Sequence, residues 1–179
     1  MSKEVFSQIS GALVPFRNIL AQSLRWRRPR LNLRLTQAWA VLEQRQLSEF
    51  MEAVPEYHLS PDDTFENAVL LFDQHAVEFL YVLDNEGILQ GVITRNELFE
   101  AFAQGKKPST KVRDFMRNDP IAVTSKDMSL MASDLMNKHD IDRLPVVESK
   151  DNRRLIGLVR SEKMLRWLVE QSHVDPPGS

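Results

Sequence analysis

The chain has 179 residues and a net charge of −2; with 42% hydrophobic and 27% charged residues it has the balance of a soluble globular protein of one ordinary domain or two small ones. It contains no cysteine, which excludes disulfides, thiolate zinc sites and a catalytic thiol together and fits a reducing compartment. No apolar run approaches the roughly 18–20 residues of a bilayer-spanning helix, and the N-terminus lacks the uninterrupted apolar core of a signal peptide.

Charge is unevenly placed. Residues 1–46 carry eight Lys/Arg against two Glu, a balance of +6, and residues 47–179 carry a balance of −8. The first segment therefore reads as a separate unit facing something anionic. Within it, residues 4–24 mix apolar and polar residues at loosely helical spacing: Val5, Ile9, Leu13 and Phe16 share one face. Gly11 and Pro15 weaken a single long helix. Residues 25–34 hold five Arg, Trp26 and Pro29, a basic break or link. Thr36 caps a helix through residues 36–47, with Ala38, Val41 and Leu42 on its buried face.

Beyond this point the chain repeats itself. Phe50-Met51 recurs as Phe115-Met116, and the run from His75 to Val82 lies over that from Asp140 to Val147, both at an offset of 65. Gly91-Val92-Ile93 lies over Gly157-Leu158-Val159 at an offset of 66. An internal repeat sets the architecture. In the first copy the spacing predicts a strand at 58–59, a helix over 64–75, strands over 79–83 and 88–94, and a closing helix over 96–104. In the second it predicts a strand over 121–124, a helix over 128–138, strands over 144–148 and 154–160, and a helix over 161–171. Each copy is thus β-α-β-β-α, its apolar runs suited to strands buried on both faces. The turns at 84–87 and 150–152 suit hairpins, and residues 105–110 form a linker.

About 60 residues is small for an independent fold. The closing helices carry wide apolar stripes, Leu98, Phe99, Ala101, Phe102 and Ala103 in one and Met164, Leu165, Trp167, Leu168 and Val169 in the other. Such width predicts that the copies pack together and that the pair joins a second pair.

Thr94 and Glu97 stand where a strand enters a helix. They satisfy a capping box, in which Thr caps the helix and Glu reaches back. The same corner also suits an anion, with Thr94 on a phosphate and Glu97 on a sugar hydroxyl. The counterpart in the second copy is Arg160 for Thr94 and Lys163 for Glu97. The fold thus tolerates losing both groups, which favours a ligand role in the first copy.

The tandem pattern resembles a pair of cystathionine β-synthase (CBS) domains, the two-copy unit called a Bateman module. The resemblance covers about residues 47–171. It rests on the two Phe-Met starts, the run Ile141-Asp142-Arg143-Leu144-Pro145-Val146-Val147, and the glycine–hydrophobic–hydrophobic–Thr/Ser–x–x–Asp element matched by Gly91 through Glu97. It implies an α/β (α+β) fold of two β-α-β-β-α repeats packed as a pseudo-twofold pair, behind a helical basic N-terminal segment. The expected divisions are 1–46, a first domain over 47–108, a second over 109–173 and a disordered tail over 174–179.

In that family the strand-end hydroxyl contacts a nucleotide phosphate and the acid binds the ribose hydroxyls. Carried over, this implies Thr94 and Glu97 for phosphate and ribose, and an adenine pocket of Tyr57, His58, Leu59, Val77, Phe79 and Tyr81. Arg95, Arg160 and Lys163 are candidate phosphate contacts. Glu97 stands where the family has Asp, and Leu80 replaces the proline found at Pro145 in the second copy. Lacking both hydroxyl and acid, the second copy is expected to offer no conventional adenosine site.

The resemblance implies a non-catalytic regulatory module that binds ATP, ADP or AMP, with or without Mg, in the cleft between repeats. It implies a cytoplasmic homodimer that passes a conformational or packing change to a partner. A membrane surface, channel or transporter is the candidate partner through residues 1–46, since Trp26 among arginines suits anionic headgroups. Nucleic acid is not expected. The four histidines, at 58, 75, 139 and 173, show no metal-ligand spacing, so no metal site is expected. The initial Met favours a free-standing chain. The rival readings are a ligand-free dimerisation platform and a divalent-cation sensor.

Overall fold

The computed structural model describes residues 40–42 and 44–171. The expected helices of residues 4–24, most of the helix begun at Thr36, the arginine run and the tail lie outside the described residues. The elements are β1 (His58–Leu59), α1 (Phe65–His75), β2 (Phe79–Leu83), β3 (Leu89–Thr94), α2 (Arg95–Ala103), β4 (Arg117–Asn118), β5 (Val123–Thr124), α3 (Ser129–His139), β6 (Arg143–Val147), β7 (Leu155–Arg160) and α4 (Ser161–Gln171). The doubled β-α-β-β-α order is therefore present, and one-turn 3-10 helices at Leu47–Glu49 and Val112–Asp114 precede the two copies.

Residues 46–127 and 143–159 form one compact unit. It holds a four-stranded sheet in the order β1-β2-β3-β4 and a three-stranded sheet in the order β5-β6-β7. Strand β1 runs parallel to β2, and β2, β3 and β4 run antiparallel in turn. The hairpin between β2 and β3 is closed by Asp84. Its carboxylate accepts from the amides of Glu86 (3.0 Å) and Ile88 (2.9 Å) and from Gln90 Nε2 (2.9 Å). The Ile88 amide leads the effects on Asp84, and the bonds together hold its pKa below the ordinary carboxylate range. Gly87 completes this turn at φ 78°, where a Cβ would be strained.

The entry segments are exchanged between copies. Strand β4 belongs by sequence to the second copy, yet it extends the first copy's hairpin, with Gly91 opposite Asn118 and Val92 opposite Arg117. Reciprocally, Glu52 from the first copy bridges Leu158 of the second, through Glu52 N to Leu158 O (2.8 Å) and Leu158 N to Glu52 O (3.1 Å). This gives the residues after the repeated Phe-Met pairs a role the sequence reading lacked: Arg117 and Asn118 add a short strand, and Glu52 a single bridge, to the other copy.

Two apolar clusters flank the first sheet. Leu80, Val82 and Ile93 point to one face, with Leu59, Ala68, Phe72 and Val112. Tyr81, Leu83 and Leu89 point to the other, with Val147 and Leu155. Both faces are apolar because both are covered, which is why this stretch reads as a continuous hydrophobic run. Helix α2 buries Ala101 and half-buries Leu98, while Phe99 is 71% and Phe102 72% exposed.

The remaining described residues form a second unit, in which α3 packs on α4. Ser129 donates its amide to the Arg45 carbonyl at 2.9 Å and its hydroxyl to the Leu42 carbonyl. Ser133 donates to the Ser129 carbonyl at 2.9 Å, so the hydroxyls of both buried serines are bonded. The Arg45 guanidinium lies 5.6 Å from the Trp167 ring centre. Among the described residues, no helix is long and apolar enough to cross a membrane.

Candidate functional site

Thr94 ends β3 and caps α2. Its backbone is extended at φ −113° and ψ 176°, and Oγ1 accepts from the Asn96 amide at 3.2 Å. Glu97, one turn on, reaches back. Its Oε2 accepts from the Thr94 amide at 2.8 Å and also from the Thr94 hydroxyl. This is a capping box, and it pairs amides that the first helical turn leaves without partners.

The other carboxylate oxygen, Oε1, is held from a distant strand. Arg117 Nη2 in β4 lies 2.6 Å from it. The acid is fixed and the base is open: the Glu97 side chain is 11% exposed and that of Arg117 is 54%. Burial alone would push the Glu97 pKa up. The bonds from the Thr94 hydroxyl, the Thr94 amide and Arg117 outweigh it and hold the carboxyl below its ordinary range. Glu97 is thus an ionised carboxylate in the first turn of α2 at neutral pH.

The register shows which predicted residues share its face. His58 lies opposite Tyr81, Tyr81 opposite Val92 and Val92 opposite Arg117. Phe79 lies opposite Thr94 in the next row. Paired residues share a face and alternate along a strand. His58, Phe79, Tyr81, Thr94 and Arg117 therefore face the same way. Phe79 and Tyr81 meet edge to face at 5.0 Å. The Arg143 guanidinium lies 4.5 Å from the Phe79 ring centre and 2.8 Å from the Glu78 carboxylate.

Three of the predicted adenine-pocket residues lie elsewhere. Leu59 is 1% exposed in the core behind the sheet, and Tyr57 and Val77 pack against that core. Tyr57 stacks on His75 with ring centres 3.6 Å apart. The physical reason is the two-residue period of a strand: Tyr57 and Leu59 flank His58 and so point away from it. Arg95 opens α2 and is exposed. Arg160 and Lys163 are half-buried in the other compact unit.

Arg117 escaped the sequence reading. The signal that could have found it is the repeated Phe-Met pair, because a short strand delivered there puts the next residue on the neighbouring hairpin. The repeat also places Lys163 at the position of Glu97 and Glu52 at that of Arg117, with the charges exchanged. Among the described residues, no three His, Asp or Glu side chains gather as metal ligands.

Comparison with known proteins agrees with this architecture. The CBS domain-containing protein YhcV of Bacillus subtilis (strain 168) is 35% identical over 103 residues, covering 56% of this chain and 70% of that protein. Inosine-5'-monophosphate dehydrogenase of Methanocaldococcus jannaschii is 32% identical over 108 residues, covering 60% of this chain and 21% of the enzyme, so the chain spans about a fifth of that enzyme's length. A solved structure of CBSX2 in complex with AMP matches with a TM-score of 0.61 at 24% identity, over 70% of this chain and 96% of that one, which is a likeness of fold. The family model described as the CBS domain matches twice, at residues 47–104 and 112–170, and the chain accordingly belongs to the CBS domain family.

Proposed function

We propose that the chain is a non-catalytic regulatory module that binds an adenine nucleotide, ATP, ADP or AMP, on the face of the first repeat carrying Thr94 and Glu97. The observation that carries the reading is the ionised, nearly buried Glu97 at the strand–helix corner, on the face shared with His58, Phe79 and Tyr81. A carboxylate accepts from vicinal ribose hydroxyls, and aromatic side chains accept the flat base. The exposed start of α2, with Thr94 and Arg95, is suited to a phosphate. The AMP bound to CBSX2, a protein of the same fold, supports the ligand class. The extra methylene of Glu97 relative to Asp lets it fold back onto the Thr94 amide.

A nucleotide acts only through its different affinity for two arrangements of the module. The readout in this proposal is the packing of a homodimer or the engagement of a partner. A membrane protein or an anionic membrane surface is the proposed contact of residues 1–46, whose balance is +6. A second reading, a ligand-free interaction platform, is favoured by the exposure of Phe99 and Phe102 and by a capping box that is satisfied without a ligand.

A thermal-shift and calorimetric panel of ATP, ADP, AMP, S-adenosylmethionine and Mg²⁺ alone separates the readings. Stabilisation by an adenine nucleotide that Thr94→Ala weakens supports the sensor. Silence from every adenine compound at millimolar concentration leaves the platform, and a response to Mg²⁺ alone transfers the function to cation sensing.

A further inference from the structure

Glu97 in its present state has little to offer a ribose. Its Oε2 is engaged by both the amide and the hydroxyl of Thr94, and its Oε1 by Arg117. The bond from the Thr94 amide belongs to the local chain and caps α2, so it persists whatever binds. The Arg117 bond is different. It joins groups twenty residues apart, and the Arg117 side chain is more than half exposed while the acid is not. An exposed guanidinium leaves a carboxylate at small cost, provided that another anion receives it.

Where Arg117 can go is limited by its backbone. Arg117 pairs with Val92, and its carbonyl lies close above Gly91. Its Cα is thereby pinned beside the corner. The side chain pivots about a fixed point on the face that also carries Thr94, Phe79 and His58. The planar fork of arginine fits a carboxylate and a phosphate equally well.

We propose that Arg117 is the specificity-determining residue of this site: it leaves Glu97 Oε1 as the ribose diol takes that oxygen, and it pairs with the phosphate of the same ligand. This rests on the nucleotide-binding reading above and adds a selection rule to it. Adenosine supplies the diol but no phosphate, so its binding strands the guanidinium without its carboxylate. A phosphorylated adenosine replaces the lost pair with a new one. The site therefore rejects the nucleoside and accepts the nucleotide.

The test is calorimetry of the full chain with AMP and with adenosine, on wild type and Arg117→Gln. Wild type is expected to prefer AMP by roughly tenfold or more, the worth of one charge-assisted pair. In Arg117→Gln, AMP weakens by a similar factor while adenosine binds unchanged or tighter, so the preference collapses. Parallel weakening of both ligands, or no change in either, overturns the role of Arg117 and leaves the site itself intact. Wild-type chain that binds neither ligand removes the nucleotide reading, and this proposal with it. Should Arg117→Gln not fold, Arg117→Lys decides: AMP weakened with adenosine unchanged supports the exchange, and equal loss of both overturns it.

Discussion

Gly91 lies directly beneath Met116. A Cβ built on Gly91 would stand 2.6 Å from Met116 Sδ and 2.9 Å from the Arg117 carbonyl oxygen. The second copy mirrors this, with a Cβ on Gly157 reaching 2.5 Å from the Glu52 carbonyl oxygen and 3.1 Å from Met51 Cγ. Each hairpin glycine thus makes room for the methionine of the other copy's Phe-Met pair and for the backbone of the residue after it. Both Gly→Ala substitutions are expected to destabilise by about 1–3 kcal/mol through overpacking. Gly157→Ala is the worse of the two, because its nearest atom is a backbone oxygen held in the bridge to Leu158 and not the end of a flexible side chain. Urea midpoints measure both; unchanged midpoints would mean that the exchanged segments yield to a methyl group without cost.

Acid should weaken this fold in a way that traces to Glu97. Its folded pKa lies below the ordinary carboxylate value, so the folded state favours the ionised form. That contribution is complete above the unfolded pKa and is lost as pH falls through the folded one, from about pH 5 downward. Glu97→Gln is expected to lose the Arg117 pair, to cost about 1 kcal/mol at neutral pH, and to flatten the acid side of a stability profile. Thermal melts between neutrality and mild acid read the slope, and a mutant as acid-sensitive as wild type would place the effect on Asp84 and other carboxylates.

Arg143 and Glu78 give a contrast in how exposed pairs matter. The Glu78 side chain is 69% exposed and that of Arg143 is 21%. An exposed ion pair is worth roughly 0–1 kcal/mol, whereas a guanidinium packed on a ring adds its stem's burial to a cation–π contact of about 0.5–2 kcal/mol. Glu78→Gln should therefore cost less than about 0.5 kcal/mol by the first figure, and Arg143→Ala about 1–2 kcal/mol by the second. Chemical denaturation of the two variants decides it; equal losses would make the ion pair, not the Phe79 contact, the stabilising element.

Helices α1 and α3 each end on a residue in the left-handed region, Ala76 at φ 48° and Asp140 at φ 52°. Such caps favour glycine, since a Cβ there is strained. Ala76→Gly is expected to gain up to about 1 kcal/mol net of the added chain entropy. Asp140→Gly should gain less, because Asp tolerates this conformation better than Ala does. Calorimetric melting temperatures should rise in that order, and a fall for Ala76→Gly would contradict the strain argument.

The doubled element order is legible in the sequence, because each helix and strand is written in local periodicity and the copies confirm one another. Helix 64–75 is found at Phe65–His75 and strand 79–83 at Phe79–Leu83. The Thr94–Glu97 capping box was equally readable, since both partners lie within one helical turn. What the sequence could not phase was the face of each strand. The run FLYVL is covered on both sides, so no alternation of polar and apolar residues marks which way Phe79 or Leu80 points. Only the register separates His58, Phe79 and Tyr81 from Leu59 and its neighbours Tyr57 and Val77. The exchange of the segments after the Phe-Met pairs and the pairing of Arg117 with Glu97 were likewise decided by the tertiary structure. Both join residues distant in the chain, and hydrogen bonds between strands leave no periodic trace in either one alone. Local order determined the elements and the corner; long-range pairing decided which side chains meet there.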